Sequence, residues 1–214
     1  MYSTVLFDLD GTLTDPAEGI TNSVAYALRK WNIEVKDKTE LYKFIGPPLV
    51  DSFVKYFNFS IEEANLAVGV YREYFSKQGI YENKLYSGIR DMLEGLRKAG
   101  KTLLVATSKP ECFAKEILRY FELDGYFEFV AGATMDGSMT EKGDVIAYAL
   151  KYCDEDLRSN IIMVGDREYD ILGAKENGIA SVGVLYGYGS REELTWSGAT
   201  YLASSPKDIL KILV

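Results

Sequence analysis

Two aspartates follow the first apolar run of the sequence, and their spacing suits them to joint chemistry. The run Thr4-Val5-Leu6-Phe7 leads directly into Asp8, Leu9, Asp10 and Gly11. Side chains two apart in a strand point the same way, so both carboxylates should leave the end of a strand together, before Gly11 lets the backbone turn. Two carboxylates at close range repel each other unless a proton or a cation lies between them.

A hard divalent cation, above all Mg²⁺, is the natural partner of such a pair because it prefers oxygen ligands. With the cation bound, one carboxylate could attack a phosphorus atom while the other moves protons. The plainer interpretation is that Asp8 and Asp10 only cap the helix after the strand. The pair alone does not decide between the two.

Further segments along the chain offer groups of the same kind. The apolar run Ile161-Ile162-Met163-Val164 is followed by Gly165, Asp166 and, four residues later, Asp170. Another apolar run, at 102–106, ends in a group that offers hydroxyls and an ammonium. A lysine then heads a segment with apolar residues at helical spacing. These additional residues are Thr107, Ser108, Lys109 and Lys142.

In chain order, the patterns Asp-x-Asp-Gly-Thr, Thr-Ser, Lys and Gly-Asp-x-x-x-Asp resemble the four motifs of the haloacid dehalogenase superfamily. The similarity is to its phosphatases of the phosphoglycolate phosphatase and 5'-nucleotidase-like subgroup, and it spans most of the chain, from Asp8 to Asp170. It implies a magnesium-dependent phosphatase that hydrolyses a small phosphomonoester through an aspartyl-phosphate. Phosphoglycolate and nucleoside monophosphates are the leading substrate candidates.

The resemblance also implies roles for the residues that react with the phosphoryl group. Asp8 would be the nucleophile, and Asp10 would protonate the leaving alkoxide and then activate water. Thr107 and the backbone amide of Ser108 would hydrogen-bond the phosphoryl oxygens. Lys142 would neutralise those oxygens and steady the nucleophile.

The same resemblance implies a Mg²⁺ site built from aspartates. Asp8 would use its second carboxylate oxygen, and Asp10 its backbone carbonyl. Asp166 would complete the site, and Asp170 would act from just outside it or through water. Helix N-termini after the strands would add partial positive charge near the phosphate.

Other residues are weaker candidates for contact with the substrate. Lys43 lies about one helical turn before Gly46-Pro47-Pro48, a turn of the kind found in the caps of this subgroup. A structural helix breaker beside a solvated lysine is an equally good interpretation. Lys109 could also bind the substrate, although a solvated surface lysine is the simpler expectation. The loop Gly187-Tyr188-Gly189 is interpreted as ending in a helix N-cap at Ser190.

Charge divides the chain into two regions. Residues 16–84 contain nine acidic and nine basic side chains, whereas the whole chain has 32 and 24, for a formal charge of −8. Apolar residues recur at helical spacing from Ile20 to about Ser76, and no convincing strand is found there. We therefore expect an all-helical cap at 16–84, inserted into a core formed by 1–15 and 85–214. Paired linkers would let the cap open and close.

Outside the cap, short apolar runs alternate with helical segments. This alternation predicts an α/β fold with a Rossmann-like, doubly wound and mainly parallel sheet. In such sheets a ligand lies beyond the carboxyl ends of the strands, where the strand order reverses. The aspartates and hydroxyls singled out above all follow apolar runs, so they should meet there. Lys142, near a helix start, would have to reach inward.

Composition excludes several kinds of function. The sequence has no histidine, which excludes histidine phosphatases and His-ligated metal sites. Its negative charge argues against a nucleic-acid partner. No apolar stretch approaches the roughly 20 residues needed to span a bilayer, and no signal peptide is evident, so cytoplasmic residence is expected. Cys112 and Cys153 are interpreted as reduced, partly buried thiols.

Alternative functions remain open. A dehalogenase of the same superfamily has no need for an acid at Asp10, whereas a sugar phosphomutase shares all four motifs. From another class, a signalling domain that accepts a phosphoryl group also places aspartates and a lysine around Mg²⁺. Such domains lack a helical insert of this size. The sequence sets no oligomeric state.

Overall fold

The computed structural model describes residues 2–153 and 159–214. By internal contacts the chain forms two compact units, one of Met1–Asp15 with Leu85–Val214 and one of Pro16–Lys84. At the junctions the short strands β2 (Thr14–Asp15) and β3 (Lys84–Leu85) form a two-stranded sheet. Each unit has its own architecture.

The first unit is built on a parallel sheet. Over the described residues it has six strands, in the order β5-β4-β1-β6-β7-β8. Their bounds are β1 Thr4–Phe7, β4 Thr102–Pro110, β5 Phe129–Ala133, β6 Ile161–Gly165, β7 Ala180–Val184 and β8 Tyr201–Ala203. The helices are α4 Ile89–Lys98, α5 Glu111–Tyr120, α6 Lys142–Leu150, α7 Glu168–Glu176, α8 Arg191–Trp196 and α9 Pro206–Leu213. The predicted parallel α/β fold is confirmed.

The central strand β1 shows why this sheet is covered on both faces. Val5, Leu6 and Phe7 are all fully buried, and neighbouring side chains in a strand point to opposite faces. Leu6 belongs to a buried cluster with residues of α6, such as Val145 and Ala149. A continuous apolar run is what a strand buried on both faces requires.

The strand order reverses beside β1. From β1 the chain proceeds outward through β4 to β5, and it then returns to place β6 on the other side of β1, followed by β7 and β8. In the parallel register Phe7 lies opposite Val105 of β4 and opposite Val164 of β6. The residues that follow these strands therefore emerge together at one edge of the sheet.

The second unit is helical and is stabilised by aromatic packing. It contains α1 Ala17–Leu28, α2 Leu49–Phe57 and α3 Ile61–Tyr74, with 3₁₀ turns at Arg29–Trp31 and Lys38–Phe44 and a π turn at Phe75–Gly79. Phe53 packs against Phe44 and Phe59 at ring-centroid distances of 5.0 and 5.8 Å. Ser60 and Glu63 form a reciprocal capping box that starts α3.

Two details differ from expectation. Strand β4 continues through the hydroxyl residues to Pro110, because its pairing with β5 resumes after a register shift between Thr107 and Pro110. Cys112 is exposed rather than partly buried, since it lies on the outer side of α5. Among the helices within 2–153 and 159–214, none has the length and apolar run needed to cross a membrane.

Candidate active site

The sheet places the first motif beside the last. Asp8 directly follows β1, and Asp166 directly follows the neighbouring strand β6. The Asp8 amide donates to the carbonyl of Val164 at 2.9 Å, so parallel pairing continues to the edge where both carboxylates lie. Asp8 is 4% exposed and Asp166 is fully buried. Two buried carboxylates at one edge need nearby positive charge.

Lys142 supplies part of that charge. It is the first residue of α6, and its ammonium lies 2.7 Å from Asp8 Oδ1 and 2.9 Å from Asp170 Oδ1. The same nitrogen donates to the carbonyl of Ala106 at 3.1 Å. Burial lowers the pKa of Lys142, but the carboxylates of Asp170 and Asp8 outweigh it and raise the pKa above its usual range. The lysine is therefore a fixed cation between two aspartates.

Asp8, Asp166 and Asp170 form a cluster that could hold a metal ion. Each offers one carboxylate oxygen, and these oxygens all lie within 4.8 Å of one another. Burial, followed by repulsion from Asp170 and Asp8, raises the pKa of Asp166 well above its usual range. Burial likewise raises the pKa of Asp170, despite the nearby lysine. The single ammonium thus leaves excess negative charge, and this donor set of buried carboxylate oxygens fits Mg²⁺.

Asp166 is held by neighbours that sequence reasoning did not identify. The Thr12 hydroxyl donates to Asp166 Oδ1 at 3.3 Å, and the Tyr188 amide donates to Oδ2 at 2.8 Å. A β-carbon at Gly187 would lie 2.4 Å from the β-carbon of Asp166, so only glycine permits this approach. The loop interpreted as a simple lead into a helix is therefore a support for this carboxylate.

Glu193 holds the two residues that follow Asp166. Its Oε1 accepts from the Arg167 guanidinium at 2.8 Å and from the Glu168 amide at 2.9 Å. Ser190 caps α8 by accepting from the Glu193 amide, as expected for that serine. Glu193 and Arg167 are 26 residues apart in the sequence, so no local pattern predicts their contact. The helix start at Ser190 is the sequence signal nearest to it.

Asp10 is not one of the three clustered aspartates, and it pairs with a different lysine. The ammonium of Lys109 donates to Asp10 Oδ2, and the side chains are only 6% and 11% exposed, respectively. The expectation of a solvated surface Lys109 is therefore wrong, because the end of β4 lies beside the segment after β1. Burial raises the pKa of Asp10, although Lys109 acts in the opposite direction.

The hydroxyl residues lie at the end of the strand on the other side of β1. Thr107 is buried, with its hydroxyl accepting from the Lys109 amide at 3.3 Å, and Ser108 is partly exposed. Both residues are in β4, two and three positions beyond Val105, which lies opposite Phe7. They therefore reach the same edge of the sheet as Asp8.

The candidates from the helical unit are placed within that unit. Lys43 lies in the last turn of the 3₁₀ segment Lys38–Phe44, and its ammonium lies 4.5 Å from the ring centroid of Tyr56 and 5.8 Å from that of Phe57. Gly46 lies between this turn and α2. Lys43 is exposed, and its ammonium lies over an aromatic face of the same unit.

Known proteins with similar sequences and folds place this geometry in context. The family described as haloacid dehalogenase-like hydrolase matches residues 5–184. A 5'-nucleotidase from Pseudomonas aeruginosa is 44% identical over 213 residues, 99% of this chain and 96% of that protein. Tyrosine-protein kinase PtkA from Mycobacterium tuberculosis is 40% identical over 92% of this chain and 66% of that protein. The crystal structure of a predicted phosphatase from Clostridium acetobutylicum matches with TM-score 0.96 and 49% identity, covering 100% of this chain and 98% of that one.

Proposed function

This chain belongs to the haloacid dehalogenase-like hydrolases, and on that premise we propose that it is a magnesium-dependent phosphatase acting on a small phosphomonoester through an aspartyl-phosphate. The observation that supports this most is the position of Asp8. Its carboxylate is buried, lies 2.7 Å from the Lys142 ammonium and belongs to the cluster that could hold a metal ion. A nucleophile needs this combination when it attacks a phosphorus atom surrounded by oxygen charge.

The reaction has two steps, and Asp10 serves in both. In the first, a carboxylate oxygen of Asp8 forms a bond to phosphorus while the bond from phosphorus to the leaving oxygen breaks. Asp10 gives its proton to that oxygen, and burial favours the protonated form by raising the Asp10 pKa. In the second, Asp10 takes a proton from water, which attacks the phosphorus atom, releases phosphate and restores Asp8.

Other groups at the same edge of the sheet would bind the phosphoryl oxygens. The Thr107 hydroxyl and the Ser108 amide are proposed donors, since both lie at the end of β4. Lys142 supplies charge that is already fixed in place before the substrate arrives, so little reorganisation is needed during the reaction. Its second contact, with Asp170, also holds it there.

The proposed metal ligands are the side chains of Asp8, Asp166 and Asp170, with the backbone carbonyl of Asp10. Mg²⁺ bound there would offset the negative charge of the phosphoryl oxygens. Of these side chains, Asp170 contacts Lys142 through Oδ1 at 2.9 Å and accepts from the Arg167 amide through Oδ2 at 3.0 Å, so both of its oxygens already have partners. It could therefore act from outside the first set of ligands.

We assign substrate selection to the helical unit at 16–84, acting as a cap, with Lys43 and Gly46 near the leaving group. A nucleoside monophosphate is the favoured substrate, since the P. aeruginosa relative is named a 5'-nucleotidase. Phosphoglycolate is the second candidate. The proposal includes a small-molecule substrate rather than a nucleic acid or a membrane, and a cytoplasmic site of action.

The test is phosphate release from a panel of phosphomonoesters that includes AMP and phosphoglycolate. We expect many turnovers per protein with Mg²⁺, no turnover in excess chelator, and recovery when Mg²⁺ is restored. Ca²⁺ should substitute poorly because it prefers more ligands and looser geometry. Circular dichroism in chelator is the control for folding. Unchanged rates in chelator, or a single stoichiometric phosphorylation without release, would contradict the proposal.

A further inference from the structure

We propose that Lys109 is a positioning residue, which holds the Asp10 carboxyl in the orientation needed for proton transfer, and is not a ligand of the phosphoryl group. This inference rests on the proposed phosphatase chemistry, in which Asp10 is the acid and base. It concerns the second lysine of the site, whose position beside Thr107 and Ser108 made it a weaker candidate for substrate binding.

The first argument is the different state of the two Asp10 oxygens. Oδ2 accepts from the Lys109 ammonium, whereas Oδ1 is buried and accepts no hydrogen bond among the described residues. One oxygen is thus anchored, and the other is available to hold a transferable proton. A carboxyl with neither oxygen anchored could rotate, and its proton would then miss the leaving oxygen more often.

The second argument is burial. The Lys109 side chain is 6% exposed, and an ammonium this far from solvent needs a compensating partner. Asp10 is such a partner, so the contact constrains both side chains. Lys142 lies against a different pair of carboxylates, those of Asp8 and Asp170. The site therefore has one lysine on the nucleophile and another on the acid.

The third argument is the backbone that holds Lys109. Its amide donates to the Thr107 hydroxyl at 3.3 Å, and the register with β5 shifts between Thr107 and Pro110. Pro110 then restricts the backbone conformation of Lys109, because the residue before a proline is held in the extended region. Glu111, the residue after Pro110, begins α5. Lys109 therefore extends from a rigid part of the chain.

The two possible roles differ in how the effect depends on the leaving group. A lysine that binds the phosphoryl group should matter equally for every phosphomonoester, since that group is the same in all of them. A lysine that positions the acid should matter most when the leaving oxygen needs a proton. An alkoxide needs that proton as its bond to phosphorus breaks, whereas a nitrophenolate leaves without it.

The experiment compares AMP, an alkyl ester, with p-nitrophenyl phosphate. We expect Lys109→Met to lower kcat for AMP by about 10- to 100-fold, a part of the roughly 10²- to 10⁴-fold that general acid catalysis supplies. For p-nitrophenyl phosphate the loss should stay below about threefold, and KM should change little for either ester. Lys109→Gln, which keeps a hydrogen-bond donor, should retain more activity on AMP than Lys109→Met.

Two further variants complete the design. Lys115→Met removes a nearby lysine that pairs with Glu111 on the surface of α5, and it should match wild type on both esters. Asp10→Asn should lower AMP turnover strongly. Adding Lys109→Met to Asp10→Asn should cause no further loss on AMP, because both substitutions remove the same function.

An equal loss on both esters, an additive loss in the double variant, or no loss on AMP would overturn the inference. If Lys109→Met does not fold, Lys109→Gln provides the same comparison between esters. Failure of the proposed function has a different signature. In that case wild type releases no phosphate from any ester, or Asp10→Asn retains the wild-type rate on AMP.

Discussion

The two units of this protein bury polar groups in opposite ways. Within residues 16–84, all of which the structure describes, the buried polar side chains are Thr21, Ser23 and Ser52. Each hydroxyl donates to a backbone carbonyl three or four residues earlier in its own segment. Among the described residues of the other unit, the buried polar side chains include four aspartates and a lysine, namely Asp8, Asp10, Asp166, Asp170 and Lys142.

The difference indicates where stability has been exchanged for reactivity. A buried hydroxyl bonded to its own helix costs little, whereas buried carboxylates with raised pKa values are costly in the folded state. Buried groups with strongly shifted pKa values are concentrated at functional sites, so we assign the proposed chemistry to the first unit. The helical unit, described in full, has an ordinary packed interior and buries no charged side chain.

The largest effect should come from Asp8→Asn. Without a nucleophile we expect phosphate release to fall by about four orders of magnitude or more, as for nucleophiles in other covalent enzymes. The measurement is steady-state phosphate release with Mg²⁺. Asp91→Asn, which changes an exposed aspartate on α4, is the matched control and should retain the wild-type rate. Near-normal turnover by Asp8→Asn would contradict the assignment of the chemistry to the buried carboxylates of the first unit.

The next largest effect should come from Asp166→Asn. Loss of a residue that only supports a metal ligand lowers activity by up to about 100-fold, so loss of a proposed ligand should lower turnover by at least about that much. The same variant should be more stable than wild type without metal. Folding raises the pKa of Asp166. Between the ordinary pKa of an aspartate and this raised pKa, the folded state holds a proton that the unfolded state has lost, so the stability of the fold falls as the pH rises. An asparagine escapes this cost and can still accept from the Tyr188 amide.

Thermal unfolding in chelator measures this second prediction. The stability gained by Asp166→Asn should be larger near neutral pH than at about pH 4, close to the ordinary pKa of an aspartate. Added Mg²⁺ should raise Tm in wild type but much less in the variant. A variant that is less stable than wild type at neutral pH would show that these carboxylates are not under electrostatic strain.

The smallest effect should come from Lys43→Ala in the helical unit. We expect KM to rise by up to about fivefold, the value of an exposed charge interaction, and to rise unequally across phosphomonoesters. The kcat should fall less than it does on Lys142→Ala. Lys36→Ala, at another exposed lysine of the unit, is the control. Equal effects on every ester, or none, would place substrate selection elsewhere and weaken the division between the units.

The sequence predicted the family and the fold class because its signals there are local. Apolar runs such as Thr4–Phe7 specify strands buried on both faces, and acid residues at their ends identify the sheet edge where ligands bind. The predictions of a haloacid dehalogenase-like phosphatase and of a parallel α/β sheet are confirmed by the family match and by the similar solved structure. The roles of individual site residues and of the cap stay predictions.

Contacts between distant segments could not be predicted in the same way. The partner of Lys109 lies 99 residues earlier, so nothing near the lysine distinguishes it from a solvated one. The Tyr188 amide supports Asp166 through its backbone, which no residue type reveals. Gly187 was the available signal, since a glycine after a strand often marks a close approach of two backbones.

The central position of β1 also determines when the parallel sheet can form during synthesis. Thr4–Phe7 leaves the ribosome before both of its partners, β4, which begins at Thr102, and β6, which begins at Ile161. At about 5 to 20 residues per second, β1 waits roughly 8 to 30 s for its second neighbour. The intervening helical unit is finished much sooner and makes mostly local contacts. Its early folding would compact the chain that separates β1 from β4, so the unpaired, apolar β1 would stay nearer to the point where β4 emerges.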